Sequence, residues 1–170
     1  MEIDKIDHAI IEALQQDAKL TNVELAGKIG LSESACLRRV KNLHDNRVIT
    51  HYAAHLDAAA VGLPGTVFVR VSLEHQQEEK LHLFEDAVKA VHEVMECYLM
   101  SGDVDYMIRV VVRDTADYER VHNILTRLPG VDRVHSSFAL RNVLKRTRLP
   151  IDAPLSKRKQ QSTPFKAYNR

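Results

Sequence analysis

Apolar and polar positions along this chain change period twice. From Met1 to about Asn46 the spacing is helical. Ile6, Ala9, Ile10, Ala13 and Leu14 recur at intervals of three and four behind a capping Asp4. Thr21-Asn22-Val23-Glu24 has the form of a capping box, which opens a short second helix burying Leu25, Ala26 and Ile29 and stopping at Gly30. Ser32 caps a third helix, about Glu33 to Asp45, with Cys36, Val40 and Leu43 on its inner face and Leu37 beside them. Val48–Ala53 suits a short strand, and Asp57–Gly65 supplies turn residues and a boundary.

From Thr66 to about Leu140 strand and helix periods alternate. Val67, Val69, Val71 and Leu73 alternate as in a strand, and Leu81, Phe84, Val88 and Val91 follow a helical period. Val94–Met100 is strand-like, Ser101-Gly102-Asp103 is a turn, and Tyr106, Ile108, Val110 and Val112 alternate again. Tyr118, Val121 and Leu125 are helical, and Val131–Leu140 alternates once more. The order β-α-β-β-α-β predicts a ferredoxin-like unit. Two helices on one sheet face leave Phe68, Met107 and Val111 to be covered, and a second copy is the simplest cover. The fold class is therefore α+β. The expected organisation is a helix-turn-helix domain over 1–50, a connector over 51–65, a ferredoxin-like domain over 66–145 and a basic, mobile tail over 146–170.

Composition changes this picture little, but charge distribution changes it more. The formal net charge of the 170 residues is +1. That total averages residues 1–140, with 15 basic and 22 acidic side chains, over residues 141–170, with nine basic and one acidic. The two-domain body should therefore not bind a polyanion by bulk charge, and the tail can add a basic arm. Apolar runs are only a few residues long, so no membrane span is expected. The acidic, amphipathic start is unlike a signal peptide. Cys36 and Cys97 lie far apart, which suits reduced thiols in a cytoplasmic protein.

The first candidate chemistry is DNA recognition. Two helices joined by Gly30-Leu31-Ser32 fit a helix-turn-helix, whose second helix enters the major groove. Opposite Cys36, Val40 and Leu43, this helix presents Ser34, Ala35, Arg38, Arg39 and Asn42. Hydroxyls and amides suit base edges, and guanidinium forks suit guanine or phosphate. Backbone amides near Thr21, Asn22 and Ser32 can meet phosphate at helix N-termini. Solvated arginines on a small helical domain would show the same pattern.

The second candidate is a small-molecule site at the Gly102-Asp103 turn. Ser101 and Gly102 offer turn amides to a carboxylate, and Asp103 or Asp105 can accept from an ammonium group. Tyr98, Met100 and Tyr106 are candidates to shape an apolar pocket, and Ser136 and Ser137 supply hydroxyls from the last strand. A plain hairpin turn has the same signature. Nine histidines raise a metal question, but His51 and His55 are too far apart on a strand to share an ion, and there is no HExxH or Cys-x-x-Cys. No catalytic residue, metal or cofactor is expected.

The run DKIDHAIIEALQQDAKLTNVELAGKIGLSESACLRRVKNL, followed by VITHYAAHLD, resembles the DNA-binding domain of the Lrp/AsnC family of transcription regulators. MECYLMSGDVDYMIRVVV and LPGVDRV are similar to that family's effector-binding domain, so the resemblance covers residues 4 to about 147. It implies a winged-type helix-turn-helix joined to a ferredoxin-like (RAM-type) domain. It also implies dimers, often assembled into octamers, and amino acids or related metabolites as effectors bound near the Gly-Asp turn between dimers. One departure is Arg47, where the family commonly has glycine, so Asn46 is the residue expected to turn left-handed. The implied function is sequence-specific transcription regulation through duplex DNA, and not enzymatic. The alternatives are a tetrapyrrole (sirohaem-type) decarboxylase subunit of the same architecture, for which Arg109, Arg133 and His135 are conceivable but form no recognisable set, and an architectural nucleoid protein.

Overall fold

The computed structural model describes residues 2–151. Its elements are three helices, α1 (Lys5–Gln16), α2 (Asn22–Ile29) and α3 (Glu33–Asp45), then β1 (Gly65–Leu73), α4 (Glu78–Val88), β2 (Val94–Leu99), β3 (Tyr106–Val112), α5 (Thr115–Leu125) and β4 (Val131–Phe138). The described chain divides into two compact units: residues 2–53 together with 144–151, and Ala54–Val143.

In the first unit each helix is stopped and started by its own sequence. Asp4 accepts from the amides of Ile6 and Asp7, and Asp7 closes a capping box on α1. Thr21 and Glu24 close a second box on α2. Gly30, at φ 75°, ends α2 in the left-handed region, which only glycine occupies without cost. Ser32 then accepts from Ala35 and starts α3. The buried face of the unit is Ile10, Ile11, Ala13, Leu25, Ala26, Cys36 and Leu43.

Two local expectations are corrected at the end of α3. Asn46 is not left-handed (φ −89°), and Arg47 takes that conformation instead, at φ 55°. The Val48 amide donates to Leu43 O at 2.9 Å and the Arg47 amide to His44 O at 2.8 Å, the paired bonds of a Schellman motif. The motif requires the residue after the cap to turn, whatever its side chain. Val48–Ala53 forms no strand, so no wing is built from it among the described residues. β-Branched and aromatic residues do not make a strand without a neighbouring backbone to pair with.

The second unit is a four-stranded antiparallel sheet of order β2-β3-β1-β4, the ferredoxin-like arrangement. Val67, Val69, Val71, Tyr106, Ile108, Val110 and Val112 pack on one face with Phe84, Val88, Val121 and Leu125 of α4 and α5. Gly65 sits opposite Val112, where an added Cβ would stand 2.7 Å from a Val112 methyl and 2.9 Å from its carbonyl oxygen. On the other face Phe68 is 41 % exposed, whereas Val111 is already buried within the chain and needs no external cover.

The basic segment does not leave the body at residue 146. Leu149 and Ile151 bond to Gln15 and His8 of α1, and Ile151 packs against the first unit's core. The remainder of the expected tail, 152–170, lies outside the described residues.

Candidate DNA-reading helix and effector turn

The outward stripe of α3 is Ser34, Leu37, Arg38, Lys41, Asn42 and Asp45, spaced by three and four and exposed throughout. It faces away from Cys36 and Leu43, which are fully buried. Of the residues expected here, Ser34, Arg38 and Asn42 stand on this stripe, and Ala35 and Arg39 flank it. Leu37 is 59 % exposed and not beside the core positions. Its apolar character suggested burial; one step along the helix from Cys36 carries it about 100° around the axis. Lys41 was not singled out by the sequence, although its spacing from Arg38 marks the same face.

Arg39 departs from its expected role. Its Nη1 donates to Asp4 Oδ2 at 2.7 Å and to Asp7 Oδ1 at 2.8 Å, which ties α3 to the start of α1. The bond from the Asp7 amide, and then that from Arg39, hold the Asp4 carboxyl below its usual range. Arg38 forms no ion pair among the described residues and is exposed. Asn42 is linked to Asn46, whose amide donates to its backbone and side-chain oxygens at 2.8 and 2.9 Å.

The other expected DNA contacts are busy with local structure. The Thr21 hydroxyl donates to Glu24 Oε2 at 2.8 Å, and the Asn22 amide donates to Glu33 O at 2.9 Å, fixing the start of α2 against the start of α3. Ser32 Oγ lies 3.3 Å from Ser34 Oγ. These contacts orient the helix pair.

In the second unit the Gly-Asp turn separates its expected residues into two groups. Tyr98, Met100, Ser101, Gly102 and Asp103 are exposed. Gly102, at φ 145°, holds a conformation that side chains rarely adopt. Asp105 and Tyr106 are buried and already satisfied. Asp105 accepts from the Leu73 amide and from Gln76 Nε2, each at 2.7 Å, and so is not available to an ammonium group. Tyr106 donates to Glu85 at 2.9 Å and packs on Phe84, and burial raises its phenol far above the ordinary value.

Ser136 and Ser137 do not join this turn within one chain. They sit on β4, the opposite sheet edge from β2, about 14 Å away at three strand spacings. They also point to opposite faces, Ser136 bonding Tyr118 on the helix side and Ser137 pairing with Phe68. Sequence alone could not supply the strand order that separates them. Arg109 is held by Glu96 at 2.6 Å, and Arg133 lies 3.6 Å from Asp132. Burial pushes the Cys97 thiol up to about 11. No cluster of three metal-ligating side chains occurs among the described residues, and no described helix is long and apolar enough to cross a membrane.

Residues 3–44 match the AsnC-type helix-turn-helix domain, and residues 66–149 match the Lrp/AsnC ligand binding domain. The chain belongs to the Lrp/AsnC family of transcription regulators. It is 43 % identical over 151 residues to the Bkd operon transcriptional regulator of Pseudomonas aeruginosa, covering 88 % of this chain and 99 % of that protein. It is 34 % identical over 151 residues to the leucine-responsive regulatory protein of Escherichia coli, covering 88 % and 92 %. Among solved structures it resembles a transcriptional regulator from Neisseria meningitidis in complex with L-Met. That match has a TM-score of 0.81 and 35 % identity, and covers 86 % of this chain and 96 % of the other. Membership in this family carries effector-responsive DNA-binding regulation, and the two matched domains correspond to the helix-turn-helix and the sheet domain described above.

Proposed function

We propose that α3 enters the major groove of operator DNA with Ser34, Leu37 and Arg38 nearest the base edges. The observation that carries this is the exposed stripe on α3, held in place by three capped helices and a buried opposite face. Arg38 offers a donor fork to guanine or phosphate, and Leu37 an apolar contact to a thymine methyl. Lys41 and Asn42, a turn further on, reach the sugar-phosphate rim. Arg39 positions the helix and does not read it.

The effector in this reading is an amino acid or a close relative, a choice supported by the L-Met in complex with the Neisseria meningitidis neighbour. It docks at the exposed rim Met100–Asp103, with the turn amides receiving its carboxylate and Asp103 its ammonium group. A second chain supplies what one chain keeps 14 Å away, so the site forms between copies. The half-exposed sheet face around Phe68 and Met107 suits a dimer contact, and dimers assemble further, up to an octamer. The effector acts by favouring one assembly over another, which changes how many heads engage DNA together. Such a regulator works where the DNA is, in the cytoplasm.

The test is a gel-shift titration with the promoter of its own gene, with and without amino acids. Arg38→Ala should weaken binding about 10-fold or more, the cost of one bidentate base contact, with the oligomer unchanged in light scattering. Asp103→Ala should leave effector-free binding intact and abolish the response. Unchanged affinity in Arg38→Ala would sink the groove assignment, and a normal response in Asp103→Ala would sink the effector site.

A further inference from the structure

The chain crosses between the helical and the sheet unit twice. On the way out, Ile49 still packs on the helical core, and residues 50–64 lead from it to β1. On the way back, the Ala139 amide donates to Thr66 O at 2.9 Å, and residues 140–147 lead away from the sheet. This return segment forms no helix or strand and is exposed throughout, Leu140 at 99 % and Val143 at 82 %. It ends in a clasp on α1. His8, Glu12 and Gln15 recur at intervals of four and three, so they share a stripe. Gln15 Oε1 accepts from the Leu149 amide at 2.7 Å, Glu12 pairs with Arg148, and His8 Nε2 lies 2.8 Å from Ile151 O. Ile151 is half-buried against the helical core.

We propose that the clasp determines which half-site spacings the protein accepts: by docking residues 148–151 on α1 it makes the return segment the shorter of two tethers on each DNA-reading head. The inference rests on the groove and dimer reading above. From Ile49 to Gly65 an extended chain reaches at most about 55 Å, and from Ala139 to Arg148 at most about 30 Å. Where two tethers act on one body, the shorter sets the limit. With the clasp closed, a head stays within the shorter reach of its own sheet unit; with the clasp open, only the longer tether remains. Paired heads read half-sites about 34 Å apart, one turn of DNA, or a multiple of that. The difference between the tethers, about 25 Å per head, is of the same order as that turn, so closing the clasp is enough to discriminate between spacings. The clasp is a few polar contacts and one apolar anchor, and the buried face of the helices does not depend on it. Gln15 and Arg148 are its positioning residues, and neither lies on the outward stripe of α3.

Fluorescence anisotropy on the full chain tests this with two labelled duplexes: the stretch of its own promoter that it protects, and the same stretch with ten base pairs inserted at the centre. The insertion keeps both half-sites on one face of the DNA and moves them about 34 Å further apart. The unmodified chain should lose about 100-fold or more in affinity on insertion, because only one head still engages. Gln15→Ala plus Arg148→Ala opens the clasp and should shrink that penalty about 10-fold, while affinity for the uninserted duplex falls only about two- to threefold. Eight Gly and Ser residues inserted after Arg141, with the clasp residues intact, should shrink the penalty equally, a result that a purely stabilising clasp would not give. Helical circular dichroism checks that both variants are folded. An unchanged penalty in both, or no penalty in the unmodified chain, overturns the proposal. A smaller penalty in the clasp variant alone overturns the tether, and in the lengthened variant alone overturns the clasp. A chain that binds neither duplex overturns the groove reading, and the proposal with it.

Discussion

Arg39 donates to Asp7 at 2.8 Å, joining α3 to the first turn of α1. Asp7 is 4 % exposed, so its carboxylate has little water to fall back on if Arg39 is lost. Arg39→Ala should therefore destabilise the helical unit by about 1–3 kcal/mol, the cost of stranding a buried polar group. It should weaken DNA binding by misplacing α3 and leave the salt slope unchanged, whereas Arg38→Ala should also reduce that slope if Arg38 meets phosphate. Denaturant unfolding and salt-dependent anisotropy separate the two arginines. Equal slopes lost in both variants would return Arg39 to the DNA surface.

Arg47 bears a left-handed backbone that an L side chain disfavours by about 1–2 kcal/mol. Arg47→Gly should stabilise the first unit by roughly 0.5–1 kcal/mol, after glycine's own entropy cost. A higher Tm by calorimetry checks this, and a lower one would mean the guanidinium contributes more than the turn costs.

Gly65 has no room for a methyl, because Val112 stands in that space from both its side chain and its carbonyl. Gly65→Ala should cost about 1–3 kcal/mol by forcing β1 and β3 apart. Unfolding followed by circular dichroism reads the loss, and a neutral result would show that the strand ends separate freely.

Asp105 and Asp103 are two residues apart and should behave oppositely. Asp105→Ala strands the buried Leu73 amide and should lower stability by about 1–3 kcal/mol, with ligand affinity falling only as the turn loosens. Asp103→Ala should leave the Tm unchanged, since its side chain is exposed. Thermal unfolding paired with calorimetric titration distinguishes them, and a stable Asp105→Ala protein without effector binding would make Asp105 the ligand contact.

Asp117 is held well below the ordinary carboxylate range, first by hydrogen bonds from the Arg113 side chain and backbone and then by Arg120. A carboxylate depressed on folding stabilises above its unfolded value of about 3.9 and loses that contribution as pH falls below it. The Tm gap between the unmodified chain and Asp117→Asn should be full at neutral pH and shrink as pH drops below about 4. A gap that does not change with pH would assign the effect to packing.

The helix caps, the alternating strands and the ferredoxin-like order were legible because each depends on residues within a few positions of one another. Thr21 and Glu24 meet within one turn, and Val67, Val69 and Val71 share a face by the two-residue period alone. The candidate site was legible only in part. Ser34, Arg38 and Asn42 follow from helix spacing, but nothing local shows that Arg39 finds Asp4, 35 residues earlier. The apolarity of Leu37 points it inward, while the helix angle turns it outward.

By itself, then, the sequence determined the elements, their order and the family that unites them. The tertiary structure decided which polar groups are already spent. Asp105 and Arg39 look as available as Asp103 and Arg38 in the chain, yet Leu73, Gln76, Asp4 and Asp7 have engaged them. It also decided that Ser136 and Ser137 lie across the sheet from Gly102, and that Leu149 and Ile151 return to α1. Local propensity acts over one turn or one pleat, whereas the partner of a buried charge is set by packing between segments far apart in sequence.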